Sequence, residues 1–303
     1  MISSFGRTIV ALGLLTAAAG SAACSDNAAG TCSADDDCES KFCRADGTCG
    51  PTGGDAAPGT DTPLGIDAPA GCAPNGDDSI AANEYPIRPG ASARFRTAQD
   101  ATIDSTGTAL PNNKRRWDLT GSLAGDTDGD LASIVPQGTW WASKFPTATY
   151  AARLSAKSDL LGVFAASATS VTLLGIVSPT DGTSRTEIKY APEVVVLQFP
   201  VLAGRQWTTT AQASGVISGI TSFYSETYAT LVDASGTVAT PYGEFPALRT
   251  KTEFSQTVGL LTTKRRTFGF IAECFGSVAT MVSKDNPAAG ELTSVAELRR
   301  LIP

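Results

Sequence analysis

The sequence predicts an all-β body, an antiparallel sandwich, barrel or half-barrel, preceded by a small disulfide module and a flexible linker. Two observations carry the body. Apolar and polar residues alternate with period two over several segments, and turn clusters of Gly, Pro, Asn and Asp separate those segments about every ten residues. Helix signals are weak throughout. A third observation, four cysteines within eighteen residues followed by a Gly/Pro-rich stretch, carries the module and the linker.

The body occupies 72–303. Leu248, Thr250, Thr252 and Phe254 alternate with Arg249, Lys251 and Glu253, the signature of a strand with one wet face. Phe268, Phe270, Ala272 and Cys274 alternate with Gly269, Ile271, Glu273 and Phe275, apolar on both sides, which predicts a central strand. Further strands are expected at 93–98, 115–120, 150–155, 184–190, 194–199, 207–217 and 222–232. Turns are expected at Asp233-Ala234-Ser235-Gly236, Pro179-Thr180-Asp181-Gly182 and Asn286-Pro287. Residues 160–180 carry no charge and are long enough to span a bilayer. Their small, polar middle and β-branched second half favour two strands joined by a turn instead. Residues 291–301 fit a terminal helix or a last strand.

Composition excludes several function classes. The 303 residues hold 23 Lys and Arg against 30 Asp and Glu, and this acidic balance argues against binding a phosphate backbone. No histidine is present, which removes Ser-His-Asp and Cys-His nucleophile pairs and every imidazole metal site.

Residues 1–23 read as a secretory signal. Arg7 gives the positive start, 8–19 the apolar run, and Gly20, Ser21, Ala22 and Ala23 a small-residue cleavage region. Ser21-Ala22-Ala23-Cys24 resembles a bacterial lipobox, in which the cysteine is acylated, with Ser21 standing where an aliphatic residue is usual. That resemblance implies a lipid anchor on Cys24 and a cell-envelope location, and Ser25 beside it is compatible with sorting to the outer membrane. Two or three acyl chains, at about 0.8 kcal/mol per buried methylene, hold a chain on a membrane essentially permanently. Assigning Cys24 to lipid leaves six of the seven cysteines, an even number that can pair.

Residues 24–49 form the cysteine-rich module, with Cys32, Cys38, Cys43 and Cys49 spaced C-x5-C-x4-C-x5-C. A four-cysteine zinc site competes with two disulfides. The absence of a C-x2-C pair and the oxidising compartment favour the disulfides, whose connectivity stays open. The string CSADDDCESKFCRADGTC resembles the short module behind the lipobox of myxobacterial-type lipoproteins, which implies location rather than chemistry. The body resembles the uncharacterised domain of those lipoproteins. Residues 50–71 follow with six Gly, four Pro and three Asp and neither Lys, Arg nor aromatics, a tether with a mean reach of ~25 Å. Cys72 and Cys274 remain as a pair, unless Cys72 joins the module and leaves Cys274 a buried thiol.

Candidate sites are few. Asn75, Asp77, Ser79 and Glu84 take the third, fifth, seventh and twelfth places of an EF-hand-like calcium loop. Ala73 in the first place and Asp78 in the glycine place favour a polar turn. Asp126, Asp128 and Asp130 make a second acidic loop with Gln137 where the bidentate acid belongs, so solvation is favoured over calcium. Glu193, Glu226, Glu244 and Glu273 are the carboxylates that a paired acid and base would draw on, which requires two of them about 5 to 9 Å apart. Lys114-Arg115-Arg116 and Lys264-Arg265-Arg266 read as solvated sheet edges, or as contacts to an anionic headgroup or glycan. Trp140 and Trp141, if on a strand, face opposite ways, so one ring could serve a second apolar face or a carbohydrate platform.

Residues 232–245, followed by Leu248 and Arg249, resemble a hairpin of secreted β-domains, and weakly the periplasmic lipoprotein-carrier half-barrel family, whose open sheet holds acyl chains. The expected function is a non-enzymatic envelope lipoprotein that binds a hydrophobic or envelope ligand on a concave apolar face, or acts structurally. Its partners are the membrane, through the lipid, and a lipid, glycan or envelope protein; no cofactor is expected beyond the calcium option. A surface carbohydrate- or protein-binding module and a carboxylate-pair hydrolase are the alternatives. Replacing the anchor residue, Cys24→Ser, should move the chain from the membrane fraction to the soluble one at the mass of the bare polypeptide. A variant that still needs detergent would contradict the anchor.

Overall fold

The computed structural model describes residues 72–86 and 89–303. The signal segment, Cys24, the module with Cys32, Cys38, Cys43 and Cys49, and the linker 50–71 lie outside the described residues. The strands in chain order are β1 (Ser79–Ile80), β2 (Ser92–Gln99), β3 (Thr108–Ala109), β4 (Arg115–Asp118), β5 (Thr127–Ala132), β6 (Tyr150–Arg153), β7 (Leu161–Ala166) and β8 (Ser170–Val177). They continue with β9 (Glu187–Gln198), β10 (Val201–Leu202), β11 (Gln206–Ile217), β12 (Ile220–Ala239), β13 (Glu244–Val258), β14 (Leu261–Ala272), β15 (Gly276–Val282) and β16 (Glu297–Leu301).

Twelve of these make one antiparallel sheet in the order β5-β2-β16-β15-β14-β13-β12-β11-β9-β8-β7-β6. Its two end strands meet. Ile134, just past β5, and Ala151 of β6 exchange backbone hydrogen bonds of 2.7 and 2.9 Å. The sheet is therefore a nearly closed barrel. Most neighbours are consecutive in sequence, because short turns suffice for antiparallel pairs.

The inward face is read from β11. Trp207, Thr209, Ala211 and Ala213 are buried, while Gln206, Thr208, Thr210, Gln212 and Ser214 face water. Registers carry that face round the barrel: Ala213 stands between Tyr190 of β9 and Tyr224 of β12, and Val232 stands opposite Thr250. Val171, Leu197, Trp207, Val232, Leu248 and Ile271, from six strands, meet inside in one apolar cluster with Ile80 and Tyr85. Cys72–Cys274 pins the segment that carries those last two residues, 72–86, across the end of the barrel called lower here. The bridge joins positions 202 apart with Cα atoms 5.6 Å apart, and the backbone N–H of Cys274 donates to the Glu84 carbonyl at 2.7 Å. In the chain-entropy model such a long closed loop is worth up to about 5 kcal/mol.

Part of the outside is covered. Residues 101–123 and 292–295 lay Trp117, Leu119, Leu292 and Val295 over Phe268, Phe270, Met281 and Leu298. Residues 134–148 lay Trp141 and Phe145 over Leu161, Val163 and Leu174. Three outward arginines fasten the first layer. Arg249 of β13 binds Asp233 at 2.9 and 2.8 Å, Glu291 at 3.0 and 2.8 Å and the Ser105 carbonyl at 2.7 Å, and stacks on Phe268 at 4.3 Å. Arg266 of β14 donates to Glu253 at 2.6 Å and to the carbonyls of Ala288 and Gly290. Arg300 of β16 pairs with Asp126 and donates to the Gly121 carbonyl at 2.5 Å.

Several expectations change. The Asp233-Ala234-Ser235-Gly236 cluster is no turn but a bulge inside the long β12. Arg249 captures Asp233 there, and Gly236 meets β4 so closely that a Cβ would lie 1.8 Å from the Arg115 carbonyl oxygen. Residues 184–190 and 194–199 belong largely to one strand, β9, which runs through a cis Ala191–Pro192 bond. The strand expected through Phe275 stops at Ala272, and Cys274 sits in the turn before β15 with φ 65°. The acidic stretch 126–130 is largely strand, residues 160–180 contain two strands, and the C-terminal segment ends as strand. Neither basic run is a free edge: Lys114 pairs with Asp78, Arg116 with Glu244 and Arg265 with Asp285, and Ser283 and Asn286, just past β15, bond the backbone of Arg266 and Lys264.

Arg249→Ala leaves Asp233 and Glu291 facing a buried gap without their cation. Denaturant unfolding should show a loss of about 3–5 kcal/mol, the usual result of breaking a buried pair from one side. A loss below about 1 kcal/mol, the level of exposed pairs, would contradict the buried clamp.

Candidate functional site

The barrel interior holds two chemistries. Towards the upper end, where β11–β12 and β13–β14 turn, buried Glu226 accepts hydrogen bonds from the Tyr228 hydroxyl at 2.7 Å and Gln256 Nε2 at 2.8 Å. The Thr230 and Thr252 hydroxyls share a 2.9 Å hydrogen bond below it. Burial, and after it the Glu226 carboxylate, pushes the Tyr224 hydroxyl up to about 12. Tyr190 and Tyr228 are raised too, with burial again the main cause. Glu226, Tyr228 and Gln256 satisfy one another, as buried polar groups usually do, whereas the buried Tyr190 hydroxyl has no hydrogen-bond partner among the described residues.

A second polar knot ties the seam. Glu297, inward on β16, pairs with Arg299 at 2.7 Å and accepts from Gln99 at 3.2 Å. From the β6–β7 loop it takes the Ser155 hydroxyl at 2.9 Å and the Ala156 N–H at 3.0 Å. Burial pushes this carboxyl up, but Arg299, Gln99 and the Ala156 N–H together outweigh burial and hold it below the ordinary glutamate value. The knot matters because β5 and β6 themselves share a single bridge.

The lower interior is apolar and incompletely filled. A cavity of 710 Å³ lies among Phe95, Leu131, Tyr150, Phe164, Phe275 and Leu301, and reaches Tyr85 and Cys274. Tyr150 and Phe164 stack 5.1 Å apart at 17°. Burial raises the Tyr85 and Tyr150 hydroxyls, so this wall stays uncharged. The charges stand on the cavity lining's polar side: Arg94, which donates to the Pro303 carbonyl at 3.1 Å, and exposed Arg153. Such a volume with a mostly apolar wall and a few polar groups matches small-molecule sites, which run about 300–1,000 Å³. A second pocket, between Asp78, Lys114, Leu248 and Glu273, measures 210 Å³ and holds the 2.8 Å Lys114–Asp78 pair.

The residues singled out in the sequence fall elsewhere. Asn75, Asp77, Ser79 and Glu84 build turns: Asn75 Oδ1 accepts from the Asp77 N–H at 2.9 Å, Asp77 Oδ1 from the Ser79 N–H at 2.8 Å, and Glu84 from Asn75 Nδ2 at 2.7 Å and from the Ala81 N–H at 2.8 Å. Asp126, Asp128 and Asp130 face Arg300, Arg96 and Arg94 respectively. No group of three or more cysteine or carboxylate side chains among the described residues is placed to hold a metal ion.

Of the four glutamates, Glu226 and Glu244 are engaged as described, Glu273 accepts the Asn75 and Gly76 N–H groups at 2.7 and 3.1 Å, and Glu193 is exposed on β9. No two of them share a partner. Trp140 and Trp141 are in a turn, not on a strand. Trp141 is buried, and Trp140 donates to the Ser178 carbonyl at 3.1 Å under the Arg185 guanidinium, 5.9 Å from its ring. A concave apolar face is expected from the sequence but none of its residues is, because the cavity wall is assembled from strands far apart in the chain.

In comparisons with known proteins, no protein family, curated protein or solved structure matches this chain.

The seam knot predicts a pH dependence. A carboxyl lowered in the native state stabilises it fully above the ordinary glutamate value, about 4.3, and loses that contribution as pH falls through the lowered native value. The melting temperature should therefore fall on acidification below that range, and less steeply in Glu297→Gln. Parallel pH profiles for the two proteins would contradict the assignment.

Proposed function

We propose that this chain is a lipid-anchored cell-envelope protein, held through Cys24 and sorted to the outer membrane, whose barrel holds a hydrophobic or amphipathic envelope ligand without transforming it. The observation that carries the reading is the 710 Å³ aromatic and aliphatic cavity at the lower end, beside Cys274, where the chain leading from Cys24 enters the barrel. An acyl-type chain suits the uncharged wall formed by Phe95, Tyr150, Phe164 and Leu301. Exposed Arg153, and Arg94 beside its partner Asp130, suit a polar or anionic head. The four candidate carboxylates, engaged with different partners or exposed alone, give the hydrolase alternative no support.

The test is native mass spectrometry of the Cys24→Ser chain, purified without detergent from an oxidising compartment. A lipid-sized adduct is expected, and it should vanish in Ala93→Trp, which puts a large ring into the cavity lining while leaving the melting temperature near that of the parent. A clean apo mass for the parent, or an adduct that survives the filled cavity, would overturn the reading.

A further inference from the structure

Two neighbouring hairpins stand proud of the upper end. β13 and β14 pair out to Val258 and Leu261, whereas β15 joins β14 only from Thr267. β11 and β12 pair out to Ile217 and Ile220, and β13 meets β12 only from Ser225, while on the other side residues 183–187 accompany β11 to the turn, where the Gly219 N–H donates to the Arg185 carbonyl at 2.9 Å. Each tip exposes large apolar side chains. Leu260 is 102 %, Leu261 78 %, Ile220 71 %, Phe223 70 % and Val258 51 % exposed, an unusual concentration of large side chains in water.

We propose that these tips dock the barrel onto a bilayer surface with anionic headgroups. Residues an odd number apart on a strand point to opposite sides, so Ile220 and Phe223 of β12 present apolar groups on both faces of their hairpin, while Leu260 stands in the turn beyond the paired Val258 and Leu261. A protein surface would cover one face, whereas hydrocarbon surrounds both. Charge points the same way. The chain carries a net −7, yet 206–225 and 254–263 contain no charged residue; the first charges below the second tip are Lys264 and Arg265, the latter paired with Asp285 at 2.5 Å, and beside the first tip Arg185 is balanced by Asp181 and Glu187. On the second hairpin Thr257, Thr262 and Thr263 place hydroxyls between the apolar end and its cations, Lys264 and Arg265, at the depth of headgroups.

The tips lie at the end of β14 opposite Cys274, about 36 Å away at 3.3 Å per residue, so they give the body a contact separate from the chain entry at Cys72. This surface does not depend on the ligand cavity or on acylation of Cys24.

The full chain carrying Cys24→Ser, which removes any acyl contribution, is mixed with vesicles of phosphatidylethanolamine and phosphatidylglycerol and with vesicles of phosphatidylcholine. It should sediment with the first, more weakly with the second, and less as salt screens the cations. Replacing Ile220, Phe223, Leu260 and Leu261 by Ser should lower partitioning by about tenfold or more, since binding scales with buried apolar area, at an unchanged melting temperature. In Leu260→Trp the indole emission should shift to the blue on adding anionic vesicles. No binding by the parent, equal binding by the serine variant, or tips buried in a dimer that the serine variant splits, with no vesicle-induced blue shift, would each overturn the proposal.

Discussion

The width of a twelve-stranded barrel is the constraint on which the rest of the structure depends. Eight strands enclose a space that their own side chains fill, and sixteen leave an aqueous channel. Twelve fall between, so this barrel needs filling from outside the sheet. The segment 72–86 supplies Ile80 and Tyr85 at the lower end, and the β6–β7 loop reaches in to Glu297. Glu226, Tyr190, Tyr224 and Tyr228 occupy the region between with groups long enough to reach across small Ala211 and Ala213. What these leave is the 710 Å³ cavity. The cavity is thus a consequence of strand number, and its apolar wall a consequence of which strands face it.

The exterior answers the same problem. A membrane-spanning barrel presents an apolar band outward, but β11 here presents Gln206, Thr208, Thr210, Gln212 and Ser214. Where the outer face is apolar, as at Phe268, Phe270 and Met281, irregular segments cover it. Such segments carry carbonyls that need donors once buried. Arg249, Arg266 and Arg300 supply those donors, and Asp233, Glu291, Glu253 and Asp126 balance their charge. Each cation therefore neutralises carboxylates and satisfies backbone at one place, which a shorter or uncharged side chain does not do.

The fold class was legible because alternation survives closure: Leu248, Thr250 and Thr252 face inward along β13 just as their spacing implies. The same alternation misread Arg249, whose face is wet only until residues 101–123 and 292–295 cover it, and that covering is a long-range event with no local signal. The Cys72–Cys274 bond followed from counting once Cys24 and the module were set aside. Asp233 to Gly236 looked like a turn because Asp, Ser and Gly favour one, and tertiary pairing with Arg249 and β4 overrode that preference. Trp140 and Trp141 would face opposite ways only on a strand, and they stand instead in the turn that leads into a short 3-10 helix at Ala142–Lys144. The cavity wall was illegible, since Phe95, Tyr150 and Leu301 come together only through strand order, and so was the seam formed by Ile134 and Ala151.

The central claim is that the lower interior, once 72–86 is in place, keeps one amphiphile-sized space open. The most direct measurement is a titration of the disulfide-intact chain with a fluorescent fatty acid, followed by displacement with an unlabelled one. One saturable site per chain, displaced by competitor and lost when Ala93→Trp fills the lining, is the predicted result. Emission that never saturates, or saturation untouched by the filled lining, would contradict it.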